Sequence, residues 1–190
     1  MGERGAEASA RERILAAAEE LFAEHGFEAT PISRIADRAG VPKGLVHYYF
    51  ARKPDLLEAL VDRLPDEKVP LETVVVPGQV GESLRRLVDV LDANADSSAV
   101  LSHLLWREAD THPAVLAALQ ARFERFVAVI REVMMAALPN CRADVEGAAR
   151  LLASALSYRH SMARHPGDDP AIDRELKFVA RGLELSFESG

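Results

Sequence analysis

The stretch ISRIADRAGVPKGLVHYYFARK, Ile32 to Lys53, gathers five basic side chains, Arg34, Arg38, Lys43, Arg52 and Lys53, against a single carboxylate, Asp37. His47, Tyr48, Tyr49 and Phe50 add flat rings around the turn residue Gly40. Ammonium, guanidinium, imidazole and phenol groups donate hydrogen bonds to phosphate and to base edges, and the rings offer stacking or packing surface. The chemistry of this stretch is anion docking. It stands in a chain of 190 residues with a formal net charge of -7, a charge that repels a polyanion at long range. Local distribution outweighs the sum, because phosphate contacts act at short range.

Other candidate chemistry is thinner. Ser154 or Ser157 with His160 lacks a nucleophile elbow and an orienting acid at recognisable spacing. His160, His165, Asp168 and Asp169 run into a Pro-Gly turn without a tight helical pair, which suits solvated loop charges better than metal ligands. No catalytic residue, metal or cofactor is expected.

The basic stretch needs elements to hold it. Ile14, Leu15, Ala18, Leu21 and Phe22 recur at helical spacing, and Gly26 supplies a left-handed stop from which Phe27 can fold back on the last turn. His25 sits favourably at the negative helix end. Thr30 as N-cap and Pro31 at the first helical position announce a second, short helix with Ile32, Ile35, Ala36 and Ala39 facing inward. Gly40 ends it, and a third helix starts at Pro42 and contributes Val46 and Phe50 to a small core. Pro54 then reads as the first residue of a fourth helix, running to Leu64 and carrying Leu56, Leu57 and Leu60. Two helices joined by a tight glycine turn and braced by a third form a helix-turn-helix, whose second helix enters the major groove.

RILAAAEELFAEHGFEAT, ISRIADRAGVPKGLVHYYF and RKPDLLEAL together resemble the tetracycline-repressor (TetR) family of bacterial transcription regulators, over about a quarter of the chain. The resemblance implies DNA binding by the first three helices, and dimerisation with small-molecule binding by the helical remainder. Carried over by position, it implies phosphate contacts from Thr30, Ser33 and Arg34 and base or phosphate contacts from Lys43, Gly44, Leu45, His47 and Tyr48. Tyr49 and Lys53 match positions that hold phosphates. Lys43 can donate to guanine O6 or N7, and Leu45 can touch a thymine methyl. Arg52 reads as a solvated charge. Pro42, Leu45 and His47 depart from the serine, threonine and tyrosine common at those positions, which alters the base that would be read.

Pro65 to Gly78, with three prolines and the run ETVVVPG, interrupts the helical pattern and suggests a connection with a short extended piece. Beyond it the periodicity predicts helices at about 80–95, 99–110, 112–138, 143–165 and 171–188, with no alternating strand pattern. The expected fold class is all-α: a three-helix DNA-binding domain over 1–53 (ordered from about 10), a connecting helix and linker over 54–78, and a helical regulatory and dimerisation domain over 79–190. The fourth helix is the expected lever between them. Ile172, Leu176, Val179, Leu183 and Phe187 form one apolar stripe on the last helix, and Gly147, Ala148, Leu152 and Ala155 lie on the helix before it. By the resemblance, Ala148, Leu152, Ala155, Ile172, Leu176, Val179 and Leu183 form a homodimer interface, the alternative being a core within the chain. His103, Trp106, Arg107, Phe123, Phe126, Ile130 and Met134 are candidate walls of an effector pocket, though such a stripe also suits a core.

A single cysteine, Cys141, leaves no intramolecular disulfide, and no apolar run approaches the roughly 20 residues of a bilayer crossing. MGERGA lacks the Ser or Thr of a myristoylation signal. The expectation is a soluble cytoplasmic protein. The function expected is a repressor that leaves a pseudo-palindromic operator when a small molecule binds. The alternatives are a regulator whose C-terminal part binds a protein or nothing, and a small helical enzyme or carrier.

Overall fold

A computed structural model describes residues 3–64, 69–95, 99–141, 143–162 and 172–188, with side chains described over 10–64, 69–93, 100–141, 143–159 and 172–185. Among the described residues there are ten α-helices and no strand: α1 Glu3–His25, α2 Ile32–Ala39, α3 Lys43–Tyr49, α4 Lys53–Val61, α5 Leu71–Val74, α6 Val80–Ala95, α7 Ala99–Ala109, α8 Pro113–Ala137, α9 Val145–Met162 and α10 Asp173–Glu188. They form two compact units.

The first unit joins the chain up to Leu64 with Val100–Leu119. On α1, Ile14, Leu15, Ala18, Leu21 and Phe22 are buried as their spacing requires. Gly26, at φ 82°, ends the helix with its N–H donating to the Phe22 carbonyl at 2.9 Å. The Phe27 ring folds back edge-on to Phe22, 5.1 Å between centroids. α2 buries Ile35, Ala36 and Ala39 and stops at Gly40 (φ 64°, ψ 41°), whose left-handed backbone lets the Val41 N–H reach the Ala36 carbonyl at 3.0 Å. A side chain with a Cβ would strain that conformation.

Helix starts differ from expectation by one residue. Pro31 is the N-cap of α2, and Thr30 is fully buried with its hydroxyl donating to the carbonyls of Gly26 (2.8 Å) and Leu21 (3.2 Å). The hydroxyl ties the end of α1 to the start of α2 instead of capping α2. α4 begins at Lys53, with the Arg52 N–H donating to the Asp55 carboxylate at 2.9 Å and Pro54 in the first turn, and it ends at Val61. Leu56, Leu57, Leu60 and Val61 are buried in the core of α1 to α3, and α7 adds Leu101, Leu104, Leu105 and Ala109 to it. Val115 and Leu119 of α8 complete this core. Each of these leucines and valines contributes roughly 1.5–3 kcal/mol through burial. Compactness therefore follows a different division from chain order, since α4 and α7 share their apolar faces with the helix-turn-helix.

The second unit comprises Pro65–Ala99 and the chain from Gln120 onward. The prolines around ETVVVPG leave room for the single turn α5, followed by extended Val75 (φ -78°, ψ 126°), so the connection is part helix, part extended. α6, α8, α9 and α10 enclose a core that includes Leu84, Leu87, Ile130, Val133, Leu152 and Leu156. Gly81 allows close packing, because a Cβ there would lie 3.4 Å from that of Ala180. Buried Arg159 on α9 is paired with Asp92 on α6. The Asp144 carboxylate caps α9 by accepting from the Gly147 N–H at 2.8 Å. A Cβ on Gly147 would lie 2.4 Å from that carboxylate, so the glycine serves its own helix cap.

Candidate nucleic-acid interface

Burial of Ile35, Ala36, Ala39, Val46 and Phe50 fixes which faces of α2 and α3 point outward. Ser33 and Arg34 on α2, and Lys43, Gly44 and His47 on α3, are exposed, and Tyr48 is 74% exposed, a high value for an aromatic ring. These six sit on the two helices joined by the Gly40 turn. No side chain caps α2, so its first amides remain suited to an anion.

The remaining expected contacts separate into different environments. Leu45 and Tyr49 are half-buried and pack on the unit's core, and the Tyr49 ring meets Tyr48 edge-on at 5.2 Å. Lys53 is half-buried, with its Nζ 4.2 Å from the Phe27 ring centroid and donating to the Glu28 carbonyl at 3.2 Å. Thr30 is the clear correction to the phosphate set: it has no exposed surface and its hydroxyl is directed at backbone carbonyls.

The field is also smaller than the basic residues suggest. Arg38 pairs with Glu20 at 2.7 Å and approaches Glu24 at 3.9 Å, while Arg52 pairs with Asp55 at 3.0 Å. Exposed pairs of this kind contribute little to stability but reduce the positive potential of the face. Arg34 and Lys43 have no ion pair among the described residues, which leaves them the cations best placed to meet phosphate or base.

The candidate pocket residues fall in different environments in the two units. His103, Trp106 and Arg107 lie on the exposed side of α7 in the first unit, where Arg107 pairs with Glu108 at 3.0 Å. Phe126 and Met134, together with Ile130, are buried in the core of the second unit, and Phe123 is half-buried against it. Apolar spacing on α8 marks a core, as it does in most helices.

The expected dimer stripe is corrected in the same way. Leu152, Ile172, Leu176, Val179 and Leu183 are buried within the chain, and Ala148 and Ala155 are half-buried against the same core. The exposed apolar side chains lie beside that stripe: Leu151 and Tyr158 on α9, Phe178 and Leu185 on α10. A depression of about 340 Å³ opens there, with Leu151, Phe178, Val179, Leu183 and Leu185 among its lining residues and Asp144 and Arg181 as the charged ones. The signal was present as i,i+7 pairs, 151 with 158 and 178 with 185, but a second apolar row is ambiguous until packing selects the buried one. His165, Asp168 and Asp169, and the side chains of His160 and Phe187, lie outside the described residues.

A glycine-turned helix pair on an apolar core, with cations and phenols on its outer face, has the arrangement of a helix-turn-helix, the motif class that seats its second helix in a major groove. Residues 14–60 match the family described as bacterial regulatory proteins, tetR family. Over these residues, about a quarter of the chain, the protein is similar to the TetR family. It is 36% identical over 67 residues to the transcriptional repressor BepR of Brucella suis biovar 1 (strain 1330), covering 34% of this chain and 32% of BepR. It is 39% identical over 59 residues to the transcriptional activator FasR of Mycolicibacterium smegmatis (strain ATCC 700084 / mc(2)155), covering 31% and 27%. The matched part thus spans about a third or less of these curated relatives. A crystal structure from Streptomyces coelicolor A3(2), of a protein described as a transcriptional regulator, superposes with a TM-score of 0.66 at 25% identity, over 92% of this chain and 98% of that one. The all-helical architecture, with an N-terminal helix-turn-helix and a helical C-terminal part, is shared with that structure.

Proposed function

We propose that the protein is a homodimeric transcription regulator that binds a pseudo-palindromic operator, acting as a repressor released by a small molecule. The exposed row Arg34, Lys43, His47 and Tyr48, held by the Gly40 turn over a buried core, carries this reading. Lys43 at the start of α3 is the candidate base reader, with Ser33 and Arg34 on α2 as phosphate contacts. One recognition helix offers too few contacts for specific binding. A two-fold axis would place two of them roughly 34–36 Å apart, in successive major grooves.

The apolar face of Leu151, Tyr158, Phe178 and Leu185 supports the dimer, because a row of large exposed apolar groups beside a depression suits burial against a second copy. A small molecule would release DNA by binding one arrangement of the two recognition helices better than the other. BepR is a repressor and FasR an activator, so the sign of regulation rests on the proposal alone. A regulator of this kind works in the cytoplasm, where bacterial DNA lies, and no catalytic role is assigned to any residue.

Selection from a random duplex library at stated salt tests the reading. The wild type is expected to enrich a palindrome, and Lys43→Ala to lose on the order of 10- to 100-fold in affinity for it, as expected for a lost bidentate base contact, while remaining dimeric. Failure of the wild type to enrich any sequence at low salt refutes the reading.

A further inference from the structure

Lys53 lies at the start of α4, yet its ammonium is seated by residues of two other segments. The Phe27 ring lies beneath it at 4.2 Å, and the Glu28 carbonyl accepts one of its hydrogens at 3.2 Å. An ammonium has three N–H donors, so two remain for a phosphate oxygen. The ring is itself held on two sides: Phe22 meets it edge-on at 5.1 Å, and His112, in the turn between α7 and α8, meets it at 4.8 Å with an interplanar angle of 80°. His112 is fixed in turn, its Nδ1 lying 3.0 Å from both the Glu108 carbonyl and the Thr111 hydroxyl. All of these residues belong to the first compact unit.

We infer that Phe27 and His112 are positioning residues for a phosphate contact made by Lys53, so that the α7–α8 turn, distant in sequence from the helix-turn-helix, sets how well the protein grips the DNA backbone. The inference rests on the DNA-binding reading. Its physical basis is that a four-carbon lysine stem loses much rotamer freedom on docking, and a ring and a carbonyl that already hold the ammonium remove part of that loss before DNA arrives. The arrangement also makes the grip adjustable. A shift of the turn that withdraws His112 frees the Phe27 ring to tilt, and the seat of Lys53 goes with it.

A double-mutant cycle tests the inference on a mixed-sequence duplex of about 30 base pairs at about 50 mM salt, where phosphate contacts dominate binding. His112→Ala is expected to weaken binding about fivefold when Lys53 is present and to have almost no effect in a Lys53→Ala background. His112→Phe, which keeps a ring edge against Phe27, should restore most of the loss, and Lys53→Ala should lower the salt slope by about 0.9. In parallel, the Lys53 ε-methylene protons of the DNA-free protein should resonate upfield through the Phe27 ring current and return toward ordinary values in His112→Ala. Additive effects in the cycle, or an unchanged methylene shift in His112→Ala, overturn the inference. If the upfield shift is present but the wild type binds no duplex, the DNA-binding reading has failed while the seat stands. If duplex is bound but the shift is absent, the seat has failed and the reading stands.

Discussion

The two exposed faces of this protein, the helix-turn-helix row and the α9–α10 row, show opposite relations between pattern and structure. On α2 and α3 the outward groups are polar or cationic and the inward ones apolar, so the helical period alone assigns each residue to a side. On α9 and α10 two apolar rows run side by side, and the period cannot say which is core. On α10, packing against α6 and α9 takes Leu176, Val179 and Leu183, and leaves Phe178 and Leu185 exposed. A face is legible from sequence when its chemistry differs from that of the core, and illegible when it matches it.

The sharpest way to break this comparison is to substitute one residue in each apolar row. Leu176→Ala should cost about 2–5 kcal/mol of folding stability, read by denaturant unfolding, because it leaves a cavity in the core. Phe178→Glu should leave the folded unit nearly unchanged and raise the dimer dissociation constant on the order of 100-fold, measured by sedimentation over a concentration series. A monomer–dimer balance indifferent to Phe178→Glu would remove that face from the interface.

A smaller effect separates structure from contact within the helix-turn-helix. Thr30→Val should destabilise by about 1–2 kcal/mol through the loss of hydrogen bonds to Gly26 and Leu21, without altering the salt slope of DNA binding. A slope that fell by about one would return Thr30 to the phosphate contacts.

The smallest effect concerns a surface carboxylate on α6. Hydrogen bonds from Arg85 and Arg86 hold Glu82 at a pKa of about 2, well below its ordinary 4.5. A depressed carboxylate adds stability that is fully present above the ordinary pKa and lost as pH falls through the folded one, here from about 4.5 to about 2. Because Glu82 is solvent-screened, the contribution is minor. The expected observation is a carboxyl NMR titration with a midpoint near 2 that moves back toward 4.5 in Arg85→Gln/Arg86→Gln. A midpoint already near 4.5 in the wild type would show that the arginines do not hold it.

Much of the first unit could be read before any coordinates. Gly26, Gly40 and the prolines before α2 and α3 act through local backbone geometry, and the structure departs from their reading by about a residue at the helix starts. A threonine before Pro31 satisfies the rule for a cap, but the two carbonyls that capture the Thr30 hydroxyl come from the end of α1 and the turn after it. Arg38 and Arg52 counted toward a basic patch, but Glu20 and Asp55 neutralise them, the first from eighteen residues away.

The amino-acid sequence by itself determined the all-helical class, the positions of the helices other than the single turn α5, the glycine turn and the outward cations of α2 and α3. These depend on period, backbone freedom and side-chain type, which act over a few residues. Tertiary structure alone decided that α7 shares a core with the helix-turn-helix, that His112 braces the ring beneath Lys53, and that Phe178 rather than Val179 is exposed. Those outcomes depend on which apolar surfaces meet across long stretches of chain, and a helical period is the same for every partner it could meet.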